Sequence, residues 1–132
     1  MIVLDTHIWF WWINQDRNSL GANRCELIAD TTLIAVSAIS CFEIAWLQHH
    51  QRISLPCSPK DWFDKALDQS GILLLPITPD IAARAVQLHE HHSDPQDRLI
   101  IATALEHDAK LMSDDSKFPK YQELEGRLLG RQ

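Results

Sequence analysis

Short apolar runs alternate along the chain with longer segments in which apolar residues recur at helical spacing. The apolar runs predict strands at residues 2–4, 33–36, 72–75 and 110–113. Helical spacing predicts helices that begin near Thr6, cover about residues 22–29, and run from a cap at Ser37 to about residue 50. Three further helices are predicted where a capping residue precedes a proline, at Ser58-Pro59, Thr78-Pro79 and Asp94-Pro95.

This alternation of strands and helices is typical of βαβ units. It predicts an α/β protein with a mostly parallel twisted sheet of four to five strands flanked by helices. The length of 132 residues favours one domain, residues 1–132. Functional sites in such sheets lie just beyond the carboxyl ends of the strands. The segment after Tyr121 has no clear pattern and yields no prediction.

Composition narrows the class of protein only modestly. The formal net charge of −6 argues against a protein that binds nucleic acid with a broad basic face. It does not exclude an enzyme that binds phosphate through metal cations. The three cysteines are scattered without CxxC spacing, so a disulfide framework is not expected and a reducing cytoplasm is the simplest location. No apolar run approaches the roughly 20 residues of a membrane helix, and no membrane association is predicted.

Two acids stand in positions that need an explanation. Asp5 directly follows the first strand, where it could cap the next helix or take part in a site at the strand tip. Glu43 is the only charged residue from Thr31 to Gln48. A helix so apolar on all sides is expected to be largely buried, and a buried carboxylate needs a metal ion or a basic partner. The alternative is that Glu43 lies on a narrow strip facing solvent.

Further acids occur at a late helix start and after the last strand. Asp94 and Asp97 are three residues apart and share a helix face. We interpret Asp94 mainly as a helix cap and Asp97 as functional, with the roles open to sharing. Asp114 and Asp115 follow the last strand, where a solvated turn is the alternative.

In a parallel sheet these acidic positions can converge at one end. Carboxylates that are brought together repel one another and need a counter-ion. Hard divalent cations with oxygen ligands, Mg²⁺ or Mn²⁺, suit such a cluster.

Four motifs resemble those of PIN domains, in the order of that family and over nearly the whole chain. Asp5-Thr6-His7 is similar to the opening "LDT" motif, and Ser37 with Glu43-Ile44 to the second motif. The segment from Asp94 to Ala104 resembles the "DPFDRLLIAQA" of a VapC-like subgroup, with Gln96 in place of the usual Phe. Ser113-Asp114-Asp115 resembles the "TRD" of the "LVTRD" ending, with serine in place of threonine.

The resemblance implies a PIN-like fold and a metal-dependent endoribonuclease that hydrolyses RNA phosphodiester bonds with Mg²⁺ or Mn²⁺. It carries over Asp5, Glu43, Asp97 and Asp115 as the acidic quartet of catalytic, metal-binding residues. Asp5 and Asp97 are the expected direct ligands, and Asp115 and Glu43 bind directly or through water. The supporting residues are Thr6 and Ser113, expected to hydrogen-bond a ligand carboxylate or the phosphate; Asp94, mainly a cap; and Arg98, expected to contact RNA phosphate or to form a surface ion pair.

The same resemblance implies the toxin of a type II toxin–antitoxin pair, with a cognate antitoxin and a homodimer as partners. Four successive aromatic residues, Trp9, Phe10, Trp11 and Trp12, are interpreted mainly as core, with a partner groove as the alternative. Two other functions stay open at this point. One is a PIN-fold binding or regulatory module without turnover, and the other is a different metal-dependent phosphohydrolase.

Overall fold

The computed structural model describes residues 1–89 and 94–130. In this part of the chain five strands form one sheet in the order β3-β2-β1-β4-β5. Every neighbouring pair is parallel, with Val3 level with Leu111 across β1 and β4. The strands are β1 (Ile2–Leu4), β2 (Ile34–Ser37), β3 (Leu73–Leu75), β4 (Lys110–Met112) and β5 (Leu128–Leu129).

Helices connect the strands, as the alternating pattern predicts. The α-helices in the described residues are α1 (Thr6–Ile13), α2 (Arg17–Leu20), α3 (Ala22–Asp30), α4 (Ala38–His49), α5 (Pro59–Asp64), α6 (Pro79–Gln87) and α7 (Pro95–Glu106). A π-helical segment, Lys65–Gln69, continues α5, and 3₁₀ turns cover Phe118–Lys120 and Gln122–Leu124. The four predicted caps are confirmed, because Ser37, Ser58, Thr78 and Asp94 each accept a backbone N–H of the helix that follows. The prediction missed α2, the π-helical segment and β5.

The core lies on both faces of the sheet because β1 alternates its side chains between them. Ile2 and Leu4 pack on one face with α1, α3 and α5, and Val3 packs on the other with α7. Trp9 is fully buried in the first layer, and its indole N–H donates to the carbonyl oxygen of Ala66 at 3.2 Å. The other three aromatic residues of the α1 cluster are partly buried against the same layer. Core packing therefore accounts for much of this cluster.

One helix is more exposed than its sequence suggests. The prediction that α4 is largely buried is wrong, since Phe42 is 53% and Trp46 41% exposed. The buried side of α4 is instead formed by Ser40 and Ile44, which lie against the rest of the molecule. Among the described helices, none combines the length and apolar character needed to cross a membrane.

Candidate metal centre

The candidate site lies where the central strands β1 and β4 end side by side. Both strands run in the same direction, so the residues after their carboxyl ends meet. The backbone N–H of Asp5 donates to the carbonyl oxygen of Met112 at 2.9 Å. The hydroxyl of Ser113 donates to Oδ2 of Asp5 at 2.6 Å. The first and last predicted motifs are therefore in direct contact.

Asp5 acts both as a helix cap and as a buried carboxylate of the site. Its Oδ1 accepts the N–H of Thr6 at 2.8 Å, and only 9% of the residue is exposed. Burial raises the pKa of this carboxyl, and the nearby charge of Asp115 raises it further. The bonds from Ser113 and Thr6 and the charge of His7 lower the pKa and oppose that effect in part. The cap and site interpretations of Asp5 are thus compatible.

Glu43 reaches the same region from the middle of α4. Its carboxyl oxygen Oε1 is buried, and no described residue donates a hydrogen bond to it. Burial is the main cause that raises the pKa of Glu43 to about 8, and repulsion from Asp5, Asp97 and Asp94 contributes to the same shift. A strip facing solvent does not describe this position, because Oε1 is buried although the residue as a whole is only half-buried.

Buried hydroxyl groups join α1 to α4 beside these acids. The Thr6 hydroxyl donates to Oγ of Ser40 at 2.9 Å, and both residues are almost completely buried. Hydrogen bonding with the Thr6 side chain also lowers the pKa of Glu43, which opposes part of the effect of burial. Ser40 was not predicted as a site residue. Its spacing of three residues from Glu43 on one helix was the available signal.

The start of α7 supplies the third motif. Oδ1 of Asp94 accepts the N–H of Gln96 at 2.9 Å, so Asp94 is a cap. Asp97 lies in the first turn of α7, and its charge acts on Glu43. The Arg98 side chain is directed at the end of α6. Its guanidinium donates to the carbonyl oxygens of Val86 at 3.1 Å and Leu88 at 2.7 Å. These bonds favour a structural role for Arg98 over a phosphate contact.

The turn after β4 places Asp115 near Asp5 and directs Asp114 to Arg24. Oδ1 of Asp115 accepts the N–H of Lys117 at 2.8 Å, and the Asp115 N–H donates to Oγ of Ser113 at 3.0 Å. Asp114 instead forms a bidentate ion pair with Arg24 of α3. The residue carried over from the resemblance, Asp115, is thus the one near Asp5. Arg24 was missed because its partner is 90 residues away in sequence.

Pairwise repulsion links the four acids of the quartet, because Asp115 acts on Asp5, and Asp5 and Asp97 both act on Glu43. In residues 1–89 and 94–130, no three acidic, histidine or cysteine side chains already surround a point that could hold a metal ion. The donor set nevertheless fits a hard divalent cation, because Glu43 Oε1 is buried without a donor among carboxylates that repel it. Such ions often keep several waters and bind through one or two carboxylates, which tolerates acids spaced in this way.

Comparison with known proteins agrees with the fold and with the order of the motifs. The profile of the PIN domain matches residues 2–124, and the chain belongs to the PIN-domain family. It is 38% identical over 118 residues to Ribonuclease VapC22 of Mycobacterium tuberculosis (strain ATCC 25618 / H37Rv), and the match covers 88% of each chain.

Solved structures share the same architecture. VapBC2 from Rickettsia felis bound to a DNA fragment from their promoter superposes with a TM-score of 0.68 at 23% identity, over 98% of both chains. DNA-bound VapBC from Salmonella typhimurium gives a TM-score of 0.66 at 16% identity, over 98% of this chain and 96% of that one. At such low identity these likenesses show the fold alone. The prediction of a PIN-like parallel sheet flanked by helices is confirmed.

Proposed function

We propose that this chain is a divalent-metal-dependent endoribonuclease that hydrolyses RNA phosphodiester bonds with Mg²⁺ or Mn²⁺. The observation that carries the proposal is the buried Oε1 of Glu43, which no described residue hydrogen-bonds and which lies among repelling acids. Similarity to a protein named Ribonuclease VapC22 supports RNA as the substrate. A binding module that holds no metal ion would have no need to keep such an unfavourable carboxylate cluster.

The residues of the site divide into ligands and groups that orient them. Asp5 and Asp97 would hold the cation directly, with Asp115 and Glu43 binding directly or through water. A bound divalent cation supplies an activated water and neutralises charge that grows on the phosphate oxygens.

The chain itself fixes the carboxylates in advance. The Ser113 hydroxyl and the Thr6 N–H each occupy one oxygen of Asp5, and the Lys117 N–H holds Asp115. With no cation bound, Glu43 keeps its proton at neutral pH because its pKa is about 8.

A cleavage assay with purified protein tests the proposal. Wild type should cut RNA with Mn²⁺ and stop when EDTA is added, whereas Asp5→Asn should be inactive under both conditions. Asp108→Asn is the matched control, because Asp108 is an exposed acid outside the site whose side chain pairs with Arg127. Cleavage that persists in EDTA, or in Asp5→Asn, would overturn the assignment.

We further propose that the chain is the toxin of a toxin–antitoxin pair, acts in the cytoplasm, forms a homodimer and binds a cognate antitoxin. Likeness to VapBC complexes and to VapC22 supports the toxin role and the antitoxin. The homodimer rests on the family resemblance, and the cytoplasm on the scattered cysteines. Expression of the wild type alone should arrest growth, and Asp5→Asn should not. Coexpression of the antitoxin, expected to be encoded beside this gene, should restore growth. Equal toxicity of wild type and Asp5→Asn would separate the growth effect from the nuclease.

A further inference from the structure

The guanidinium of Arg24 is a buried cation beside the acidic site. Arg24 is 3% exposed, although it lies on the short helix α3. Its Nε donates to the carbonyl oxygen of Leu20 at 2.6 Å, and Nη2 donates to that of Ser19 at 3.0 Å. These bonds lock the side chain against the end of α2. The guanidinium is therefore held in one orientation before it meets any acid.

The remaining donors of Arg24 are directed at Asp114. Nη1 donates to Oδ1 of Asp114, and Nη2 reaches Oδ2 at 3.3 Å. The Asp114 side chain is 26% exposed, so the pair is only partly screened by water. Asp114 is the middle residue of the turn whose other two members, Ser113 and Asp115, belong to the site.

The ion pair consequently fixes the turn on which the last motif depends. Ser113 donates to Asp5, and the N–H of Asp115 donates to Ser113, so these two turn residues are linked through one hydroxyl to the residue that follows β1. If Asp114 were released, its carboxylate could swing toward the acid cluster and add to the repulsion there. Releasing it would also loosen the turn around Asp115, whereas the Ser113 N–H would stay bonded to the carbonyl oxygen of Leu129 at 3.2 Å.

We infer that Arg24 is a positioning residue of the metal centre: by holding Asp114 away from the cluster, it sets the turn that places Asp115 near Asp5. This inference rests on the proposed function for its catalytic consequence, but not for its structural one. Arg24 does not touch the substrate, and its effect is transmitted through the 113–115 turn. Groups that orient metal ligands in this way typically change metal affinity by about 10-fold to 100-fold when they are removed.

The test compares Asp114→Ala, Asp114→Asn and Arg24→Lys with wild type. Three quantities are measured: Mn²⁺ affinity by calorimetry, amide hydrogen exchange of residues 113–117, and kcat and KM for RNA. Asp114→Ala and Arg24→Lys should bind Mn²⁺ about 10-fold more weakly. They should lose exchange protection in the turn, and kcat should fall while KM stays within about two-fold. Asp114→Asn keeps a hydrogen-bond acceptor for the guanidinium and should recover most of each quantity.

Two controls separate positioning from general loss of stability. Ile28→Val weakens the core under the same helix α3, and Asp108→Ala removes the Arg127–Asp108 surface pair. Neither should change turn protection, Mn²⁺ affinity or kcat. Asp114→Ala protein that is folded, with turn protection equal to that of the controls, would overturn the inference. If the turn loosens as expected but wild type cuts no RNA, the proposed function fails and the positioning role stands.

Discussion

Replacing Glu43 with glutamine should make the metal-free protein more stable while abolishing cleavage. The carboxyl group has a pKa of about 8 in the folded chain, against an ordinary value of 4.5. Between these pH values the folded state binds more protons than the unfolded state, so stability falls as pH rises through the range. Glutamine resembles the protonated carboxyl and does not titrate, so the stability of the Glu43→Gln variant should not decline in this way as pH rises.

The size of the effect follows from the raised pKa. Each pH unit between the ordinary pKa and pH 7 is equivalent to about 1.4 kcal/mol, which puts an upper limit of roughly 3.4 kcal/mol on the difference at pH 7. Partial exposure of Glu43 and the shared repulsion of its neighbours reduce this to about 1.5–2 kcal/mol. For a chain of this length that gain is about 5–8 °C in Tm. The difference should shrink toward pH 5 and grow toward pH 8.

Thermal unfolding in EDTA at several pH values, followed by the same series in Mn²⁺, measures the effect. Mn²⁺ should raise the Tm of wild type more than that of Glu43→Gln, because a bound cation stabilises the folded state in proportion to its affinity. Glu26→Gln is the control, since Glu26 is an exposed glutamate on α3. The reasoning is refuted if the Tm difference between wild type and Glu43→Gln does not change with pH. Full RNase activity in Glu43→Gln would return this residue to a structural role.

Two further outcomes are expected. Asp5→Asn and Asp97→Asn should each weaken Mn²⁺ binding strongly in calorimetry, because each removes an anionic ligand; unchanged binding in both variants would contradict the ligand assignment. Arg98→Lys should lower the Tm by several degrees, because an ammonium group cannot bridge the carbonyl oxygens of Val86 and Leu88 as the guanidinium does. The KM of Arg98→Lys for RNA should stay near that of wild type, and a large rise in KM with an unchanged Tm would instead indicate a phosphate contact.

Local signals were sufficient where a residue's role is set by its neighbours in sequence. Helix starts could be predicted at Ser58, Thr78 and Asp94 because a capping side chain bonds a backbone N–H within the next three residues. Asp5 could be placed at a strand tip for the same reason. The short helix α2 and the two-residue strand β5 were missed, because so few residues produce no detectable periodicity.

Features that depend on distant partners could not be predicted. Arg24 resembles any surface arginine until α3 is placed beside the turn after β4. The apolar residues Phe42 and Trp46 predict a buried helix, yet the fold leaves their side of α4 uncovered. Periodicity tells which residues share a face, but not whether a neighbouring element packs against that face.

The position of β1 in the sheet has a consequence during synthesis of the chain. Of the five described strands, the central strand β1 leaves the ribosome first, and its partner β4 follows only after β2 and β3. Ser113 is 108 residues beyond Asp5, which takes roughly 5–20 s to translate at ordinary elongation rates. During that interval a nascent chain holds Asp5 without the turn that completes the site. For the proposed nuclease, a copy that ends before Ser113 also lacks Asp115, and we expect it to be inactive toward the RNA of the ribosome that makes it.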